Sequence, residues 1–300
     1  MHYNRKMTTA LFYKAYPLHC DAFKQLVQQD VQRALNEDVG TGDLTAQLIP
    51  ATQMATAHII TREPAIICGM PWATAAFKQI EPSLQITWHV TEGDLVQPNQ
   101  LLCEITGQAR ALLTAERCAL NFLQLLSAVA TETAKYVKAI AHTQAQILDT
   151  RKTIPGLRLA EKYAVTIGGG QNQRLALYDG ILIKENHIAA AGSIAAAMQA
   201  AFALAAQYQT PHLSIQIEVE NLTQLEQALA AGANSVLLDN FNLALLAEAV
   251  KQNAGRALLE ASGGVDLSTV QAIAETGVNR ISIGSLTKNV QAIDLSMRIK

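Results

Sequence analysis

Six apolar segments in the second half of this chain share one rhythm: an apolar run, a polar tip, then a helix. They read "AQILDTR", "GILIKEN", "LSIQIEVE", "SVLLDN", "ALLEASGG" and "RISIGS". Amphipathic helices "LTQLEQALAAG", "LALLAEAVKQNAG" and "LSTVQAIAETG" lie between the later segments, and "GLRLAEKYAVTIGGG" follows the first. Parallel strands need a crossover, and a helix supplies it, so this alternation predicts a parallel sheet with helices outside. The number of strands favours an α/β barrel of the (β/α) type, complete or not, over an open doubly wound sheet. No G-x-G-x-x-G follows a first strand, which weakens a dinucleotide-binding reading.

The first half has a different rhythm. "DAFKQLVQQDVQRALNED" carries apolar residues at helical spacing, and the Gly-rich "VGTGDLT" ends it. Short strand-like segments follow around a helix, "MPWATAAFKQI". Gly-Asp and Pro-Asn pairs mark turns between them. This predicts a small α/β unit. A long helix over residues 114–143 then leads into the second half. The stretch "EGDLVQPNQLLCEI" is similar to the hairpins of biotinyl and lipoyl carriers. Those need a lysine at an exposed tip, and residues 53–110 hold only Lys78, inside the predicted helix.

Composition narrows the function. The 300 residues suffice for two domains, and 50% hydrophobic content supports a sizeable core. A formal net charge of −2 gives no global field for nucleic acid or an anionic membrane, so neither is an expected partner. The four cysteines, Cys20, Cys68, Cys103 and Cys118, are scattered, which argues against a zinc cluster or disulfide scaffold and suits a reducing cytoplasm. The Ala-rich run "AAAGSIAAAMQAAFALAAQ" reads as packed helix rather than a membrane span. The first 20 residues lack an apolar signal core, and a second Met at position 7 leaves the start at Met1 or Met7.

The chemistry gathers at the strand ends, where such barrels carry their reactive groups. Those ends supply Asp149 and Arg151, Lys184, Glu218 and Glu220, Asp239, Ser262-Gly263-Gly264 and Gly284-Ser285. Gln216, Glu218 and Glu220 alternate with Ile and Val, so all three are expected on one face. Polar side chains inside a barrel are costly unless paired or used. "ASGGV" and "IGSLT" after the last strands suit a phosphate, with Lys288 close in sequence. "TRKTIPGLR" sets Arg151, Lys152 and Arg158 around a Pro-Gly turn with no carboxylate, a local anion site in a slightly acidic chain. Lys184 alone would suit a Schiff base of the class I aldolase type. Its neighbours, cations plus Glu218 and Asp239, instead suit a polyphosphate, a carboxylated substrate and a divalent metal.

"TRKTIPGLRLAEKYAVTIGGGQNQRLALYDGILIKENHI" resembles the signature of the quinolinate phosphoribosyltransferase family. "EDVGTGDLT", "TAERCALNFLQLLSAVAT", "IEVEN", "LLDNF", "EASGGV" and "ETGVNRISIGSLT" resemble it in the same order. The resemblance implies an N-terminal α/β sandwich over residues 1–130, with residues 290–300 packing back on it. An incomplete parallel (β/α) barrel over residues 131–289 would follow. It implies joining quinolinate to 5-phosphoribosyl-1-pyrophosphate, with release of pyrophosphate and carbon dioxide, to give nicotinate mononucleotide on the de novo route to NAD. The enzyme would use Mg²⁺, no organic cofactor, and a homodimer with shared sites, a hexamer built from dimers being left open.

By the same resemblance Arg151 and Arg174 hold the two carboxylates of quinolinate, with Thr150 and Gln173 beside them. Lys184 lies between substrate and ribose, and Lys152 faces the donor phosphates. Arg158 supports the site or attracts phosphate. Glu218 and Asp239 face the ribose hydroxyls and Mg²⁺. Ser262, Gly263, Gly264 and Gly284 cradle the 5-phosphate near Lys288, and Arg117 reaches the neighbouring subunit's site. Many members have His where this chain has Gln173 and Lys288. Alternatives are a related phosphoribosyltransferase acting on another heteroaromatic acid, including the molybdenum-associated paralogues, and a sensor that binds sugar phosphate without turnover.

Overall fold

The structure, a computed structural model, describes residues 11–17, 20–208 and 213–300. The choice between Met1 and Met7 lies outside the described residues. The chain forms two compact units. The first takes the described residues up to Ala134, then Thr153–Gly169 and Leu286–Lys300; the second takes Lys135–Lys152 and Gly170–Ser285.

The first unit opens with α1 (Leu11–Ala15) and α2 (Asp21–Asp38). The Cys20 Sγ accepts the Phe23 N–H at 3.3 Å and caps α2, which buries Phe23, Val27, Val31 and Leu35 along one stripe. Strands β1 (Met54–Thr61) and β2 (Ala65–Ile66), helix α3 (Met70–Ile80), strands β3 (Gln85–Trp88), β4 (Leu95–Val96) and β5 (Leu101–Gln108), and helix α4 (Ala109–Ala139) follow. The last strand, β12 (Leu295–Ile299), joins β1, β3 and β5 in a four-stranded antiparallel sheet of order β12-β1-β5-β3, while β2 and β4 pair with each other. The C-terminal segment thus pairs directly with β1, Ile59 facing Met297.

The second unit is built from β6 (Gln146–Leu148), β7 (Gly180–Ile183), β8 (Ser214–Val219), β9 (Ser235–Asp239), β10 (Leu258–Ser262) and β11 (Arg280–Ser282). Between them, in chain order, lie α5 (Arg158–Ile167), α6 (Glu185–Ala191), α7 (Ile194–Gln207), α8 (Leu222–Ala230), α9 (Leu243–Asn253) and α10 (Val270–Glu275). The six strands run parallel in the order β6-β11-β10-β9-β8-β7. β6 and β7 remain edges, so the barrel is incomplete, as expected. Asn221 and Asn242 cap α8 and α9 by accepting the Gln224 and Leu245 N–H groups, each at 2.9 Å.

Two details differ from the sequence reading. Residues 153–169, placed there with the barrel, fall in the first unit. The reason is aromatic packing: the Tyr163 ring of α5 lies 5.2 Å from Trp72, 5.5 Å from Phe23 and 5.7 Å from Phe12. Glu220 lies beyond the end of β8 and is exposed, so only Gln216 and Glu218 share the inner face. Among the described residues no single helix is long and apolar enough to cross a membrane; the Ala-rich run bends by 96° between α6 and α7.

Candidate active site

The strand ends of the second unit bring most of the expected residues onto one rim. After β6 come Asp149, Thr150, Arg151 and Lys152. Asp149 is fully buried; its Oδ1 accepts the Gln173 N–H at 2.9 Å and its Oδ2 accepts Asn172 Nδ2 at 2.8 Å. The Thr150 Oγ1 accepts the Lys152 N–H at 3.0 Å, turning the chain at the rim. This acid therefore anchors two segments of the rim to each other.

Arg151 and Arg174 stand close enough for their charges to interact. Burial holds the Arg174 guanidinium below its ordinary value, Arg151 pushes the same way, and Asp179 opposes both. Asp179 is itself engaged by the Leu175 and Ala176 N–H groups at 2.6 and 3.0 Å. The Arg151 Nε is buried with no hydrogen-bond partner. An unsatisfied buried guanidinium nitrogen costs free energy, and an anion between the two arginines would recover it.

Opposite charges meet on the neighbouring strands. Lys184, at the end of β7, places its Nζ 2.6 Å from Glu218 Oε2 of β8. Asp239 ends β9 in register with Ser262 of β10, and Ser262 in register with Ser282 of β11. The Asp239 Oδ2 accepts Asn240 Nδ2 at 2.9 Å.

The glycines at this rim have distinct reasons. Gly263 has φ +107°, and a Cβ there would lie 2.1 Å from Asn240 Oδ1, so only glycine fits. At Gly284 a Cβ would press on the Lys152 Cδ at 3.1 Å. Gly264 is left-handed as well, with open space around it. Gly263 and Gly264 thus carry the chain through the left-handed region in an exposed loop at the strand end, a type of turn that suits an anion cradle.

Residues 43–127 match the family model described as quinolinate phosphoribosyl transferase, N-terminal domain, and residues 129–298 match that of the C-terminal domain. The chain belongs to the quinolinate phosphoribosyltransferase family. It is 41% identical over 263 residues to the probable nicotinate-nucleotide pyrophosphorylase (carboxylating) of Bacillus subtilis, covering 88% of this chain and 90% of that one. It is 40% identical over 274 residues to the nicotinate-nucleotide pyrophosphorylase (carboxylating) of Mycobacterium leprae, covering 89% and 95%. The solved nicotinate-nucleotide pyrophosphorylase from Francisella tularensis superposes with a TM-score of 0.87 at 45% identity, covering 92% and 97%.

Set against the family's expected residues, the second unit holds Thr150, Arg151, Lys152, Gln173, Arg174, Lys184, Glu218, Asp239, Ser262, Gly263, Gly264 and Gly284. Arg117, Arg158 and Lys288 belong to the first unit. Arg117 is exposed on α4, and Lys288 is exposed at the end of α11 (Ser285–Lys288). Arg158 opens α5 and donates through Nε to Thr153 Oγ1 at 3.2 Å. Sequence reasoning missed Asn240, which holds the Asp239 carboxylate and fits over Gly263. Its signal was an Asn directly after a strand, a residue type that tolerates the left-handed conformation seen here at φ 57°. It also missed Glu260, buried in the middle of β10.

Proposed function

We propose that this chain transfers the 5-phosphoribosyl group of 5-phosphoribosyl-1-pyrophosphate to quinolinate with decarboxylation, in de novo NAD biosynthesis. Nicotinate mononucleotide, pyrophosphate and carbon dioxide are the products. The observation that carries this reading is the buried, unpartnered Arg151 Nε beside Arg174. Two guanidinium groups held together want a dianion, and a pyridine bearing adjacent carboxylates is one.

The residues divide the work by chemistry. Arg151 and Arg174 clamp the two carboxylates; planar forks fix ring orientation better than a point charge does. Thr150 and Gln173 border the same clamp, and Lys152 faces the donor phosphates. The backbone at Ser262, Gly263, Gly264 and Gly284 takes the 5-phosphate. Lys184, held by Glu218, lies between the ring and the ribose. Glu218 and Asp239 offer two hard carboxylates, a set that fits Mg²⁺ when substrate oxygens complete the shell. Among the described residues no three His, Cys, Asp or Glu side chains form a metal site alone, which fits an ion arriving with the donor. Mg²⁺ held there supplies charge neutralisation for the leaving pyrophosphate.

The pyridine nitrogen attacks the ribose C1 as the bond from C1 to the pyrophosphate oxygen breaks. Glu218 and Asp239 place negative charge near the oxocarbenium-like carbon. The ring becomes a pyridinium, its own electron sink. The carboxylate next to nitrogen leaves as carbon dioxide, the pair stays on the ring carbon, and that carbon then takes a proton. Orientation decides which carboxylate is lost, so the arginine clamp governs the outcome.

The enzyme acts as a homodimer in which Arg117 enters the second copy's site, with higher assembly left open. The thiols of Cys20, Cys68, Cys103 and Cys118 are free, which suits the reducing cytoplasm. The test is pyrophosphate release that depends on both quinolinate and Mg²⁺, with carbon dioxide in equal amount. Turnover of nicotinate in place of quinolinate, without carbon dioxide, would reject the substrate.

A further inference from the structure

A buried polar relay runs beneath the rim. Gln173 Nε2 donates to Gln216 Oε1 at 2.8 Å, and Gln216 Nε2 donates to Glu260 Oε2 at 2.9 Å. Gln216 is 6% exposed and Glu260 1%. The relay joins β8 to β10 across β9, whose Leu237 pairs in register with both Glu218 and Glu260 and offers no polar side chain. The other Glu260 oxygen, Oε1, is buried without a hydrogen-bond partner. Burial pushes this carboxyl above the ordinary glutamate range, while Gln216 and Ser282 pull it down. An acid so placed is expensive, and an apolar residue would fill the same space at lower cost.

A direction of donation explains its presence. A primary amide has nearly the same shape in its two flips, but the flips exchange donor for acceptor. The Glu260 Oε2 accepts, so Gln216 must turn its NH₂ group toward it. The Gln216 carbonyl then faces Gln173, and Gln173 must offer its own NH₂ group. The Gln173 backbone is meanwhile pinned by Asp149 Oδ1. We infer that Glu260, acting through Gln216, is a positioning residue that fixes the flip of the Gln173 amide toward the aromatic acid. The inference rests on the function proposed above and deepens it.

The test uses Glu260→Met, Glu260→Gln and Gln216→Met in the full-length enzyme. Glu260→Met and Gln216→Met each raise the KM for quinolinate about tenfold, as expected for one buried hydrogen bond lost. The KM for the sugar donor stays unchanged. Glu260→Gln gives a KM between those of the wild type and Glu260→Met, because its amide can turn either its carbonyl or its NH₂ group toward Gln216. In a Gln173→Ala background, Glu260→Met adds no further loss, since its effect passes through Gln173. An additive loss there, or equal rises in both KM values, overturns the relay in favour of a general packing role. If Glu260→Met does not fold, Gln216→Met carries the same comparisons. An independent readout needs no turnover. With glutamine side-chain ¹⁵N labelling, the Gln173 amide resonance shifts in Gln216→Met and Glu260→Met; an unshifted resonance rejects the relay. Absence of quinolinate turnover in the wild type would reject the function instead, and leaves the resonance test of the relay intact.

Discussion

The two units handle buried polar atoms in opposite ways. In the first, they serve the unit's own frame. Asp30 takes the Trp72 Nε1–H at 3.0 Å, Ser127 takes the Cys68 N–H at 2.9 Å, and Glu92 Oε1 takes the Gly69 and Met70 N–H groups at 2.9 and 2.6 Å. Each bond ends on a backbone or ring within an aromatic core. In the second unit, Asp149, Gln216 and Glu260 lead outward to Gln173, and Lys184 and Glu218 meet at the rim. Polar burial in the first unit resembles stapling, and in the second it resembles aiming. The contrast makes a measurable claim: substitutions in the second set change catalysis more than folding, and those in the first do the reverse.

The largest effect is expected at Lys184. Lys184→Ala should lower kcat about a thousandfold or more, as removal of a preorganised charge at a reacting centre does. Stability should change by less than about 1 kcal/mol, because the lysine side chain is 42% exposed and its pair is partly screened. Lys184→Arg should stay poor, since a planar fork does not replace a compact ammonium. Near wild-type turnover in purified Lys184→Ala would end its assignment.

Glu218→Ala and Asp239→Ala come next, with rates lowered about a hundredfold and a higher Mg²⁺ requirement. Glu218→Ala should also free Lys184 from its pair. A titration of rate against Mg²⁺ that superposes on the wild type removes that residue from the metal's neighbourhood.

The elements of both units were largely legible, and the reason is local. Asp21–Asp38 and Met70–Ile80 carry apolar spacing that only a helix satisfies, and each strand of the barrel ends at a polar tip. The long helix was harder to bound. It starts at Ala109, ahead of the expected Thr114, in residues without a capping signal, and it ends at Ala139 rather than at 143. Long-range pairing was less visible still. Nothing near Tyr163 announces that its ring packs on Trp72, and nothing near Glu260 names Gln216, 44 positions away. The rim charges were readable because strand ends are sequence-local. The relay beneath them was not, because a Glu inside "ALLEASGG" shows its partner only in three dimensions.

Arg117 tests the comparison from the other side, since it lies in the first unit yet is proposed to act on substrate. Arg117→Ala should raise the quinolinate KM about thirtyfold or more, the lower bound for truncating one partner of a buried charge pair. The donor KM should move less. Homodimers of Arg117→Ala and of Lys184→Ala should each be nearly inactive, while mixed dimers should regain activity. One of the two sites in a mixed dimer then carries both residues intact. No recovery after verified subunit exchange rejects the shared site and returns Arg117 to a solvated helix face.

Glu92 sharpens the comparison from the first unit's side, and its effect concerns stability alone. Glu92 sits at the start of α3, where Gly69 has φ +103° and its Cβ space is taken by Leu126. Burial pushes the Glu92 carboxyl up to about 7, against the Met70 and Gly69 N–H groups that favour its charged form. A folded-state value above the unfolded value of 4.5 means that the native state binds the proton more tightly. Between these two values the native state holds more protons than the unfolded one, so stability falls as pH rises from 4.5 to about 7 and levels off above. The whole change is on the order of 3 kcal/mol. Glu92→Gln keeps a carbonyl for both N–H groups and removes the titration. Thermal unfolding from pH 4.5 to 8 should therefore show the variant matching the wild type at the acid end and exceeding it by several degrees at pH 8. Turnover should be unaffected, because this acid serves the frame. Parallel unfolding profiles would show that Glu92 does not titrate in this window, and a fall in kcat would show that the first unit's buried acids reach the chemistry after all.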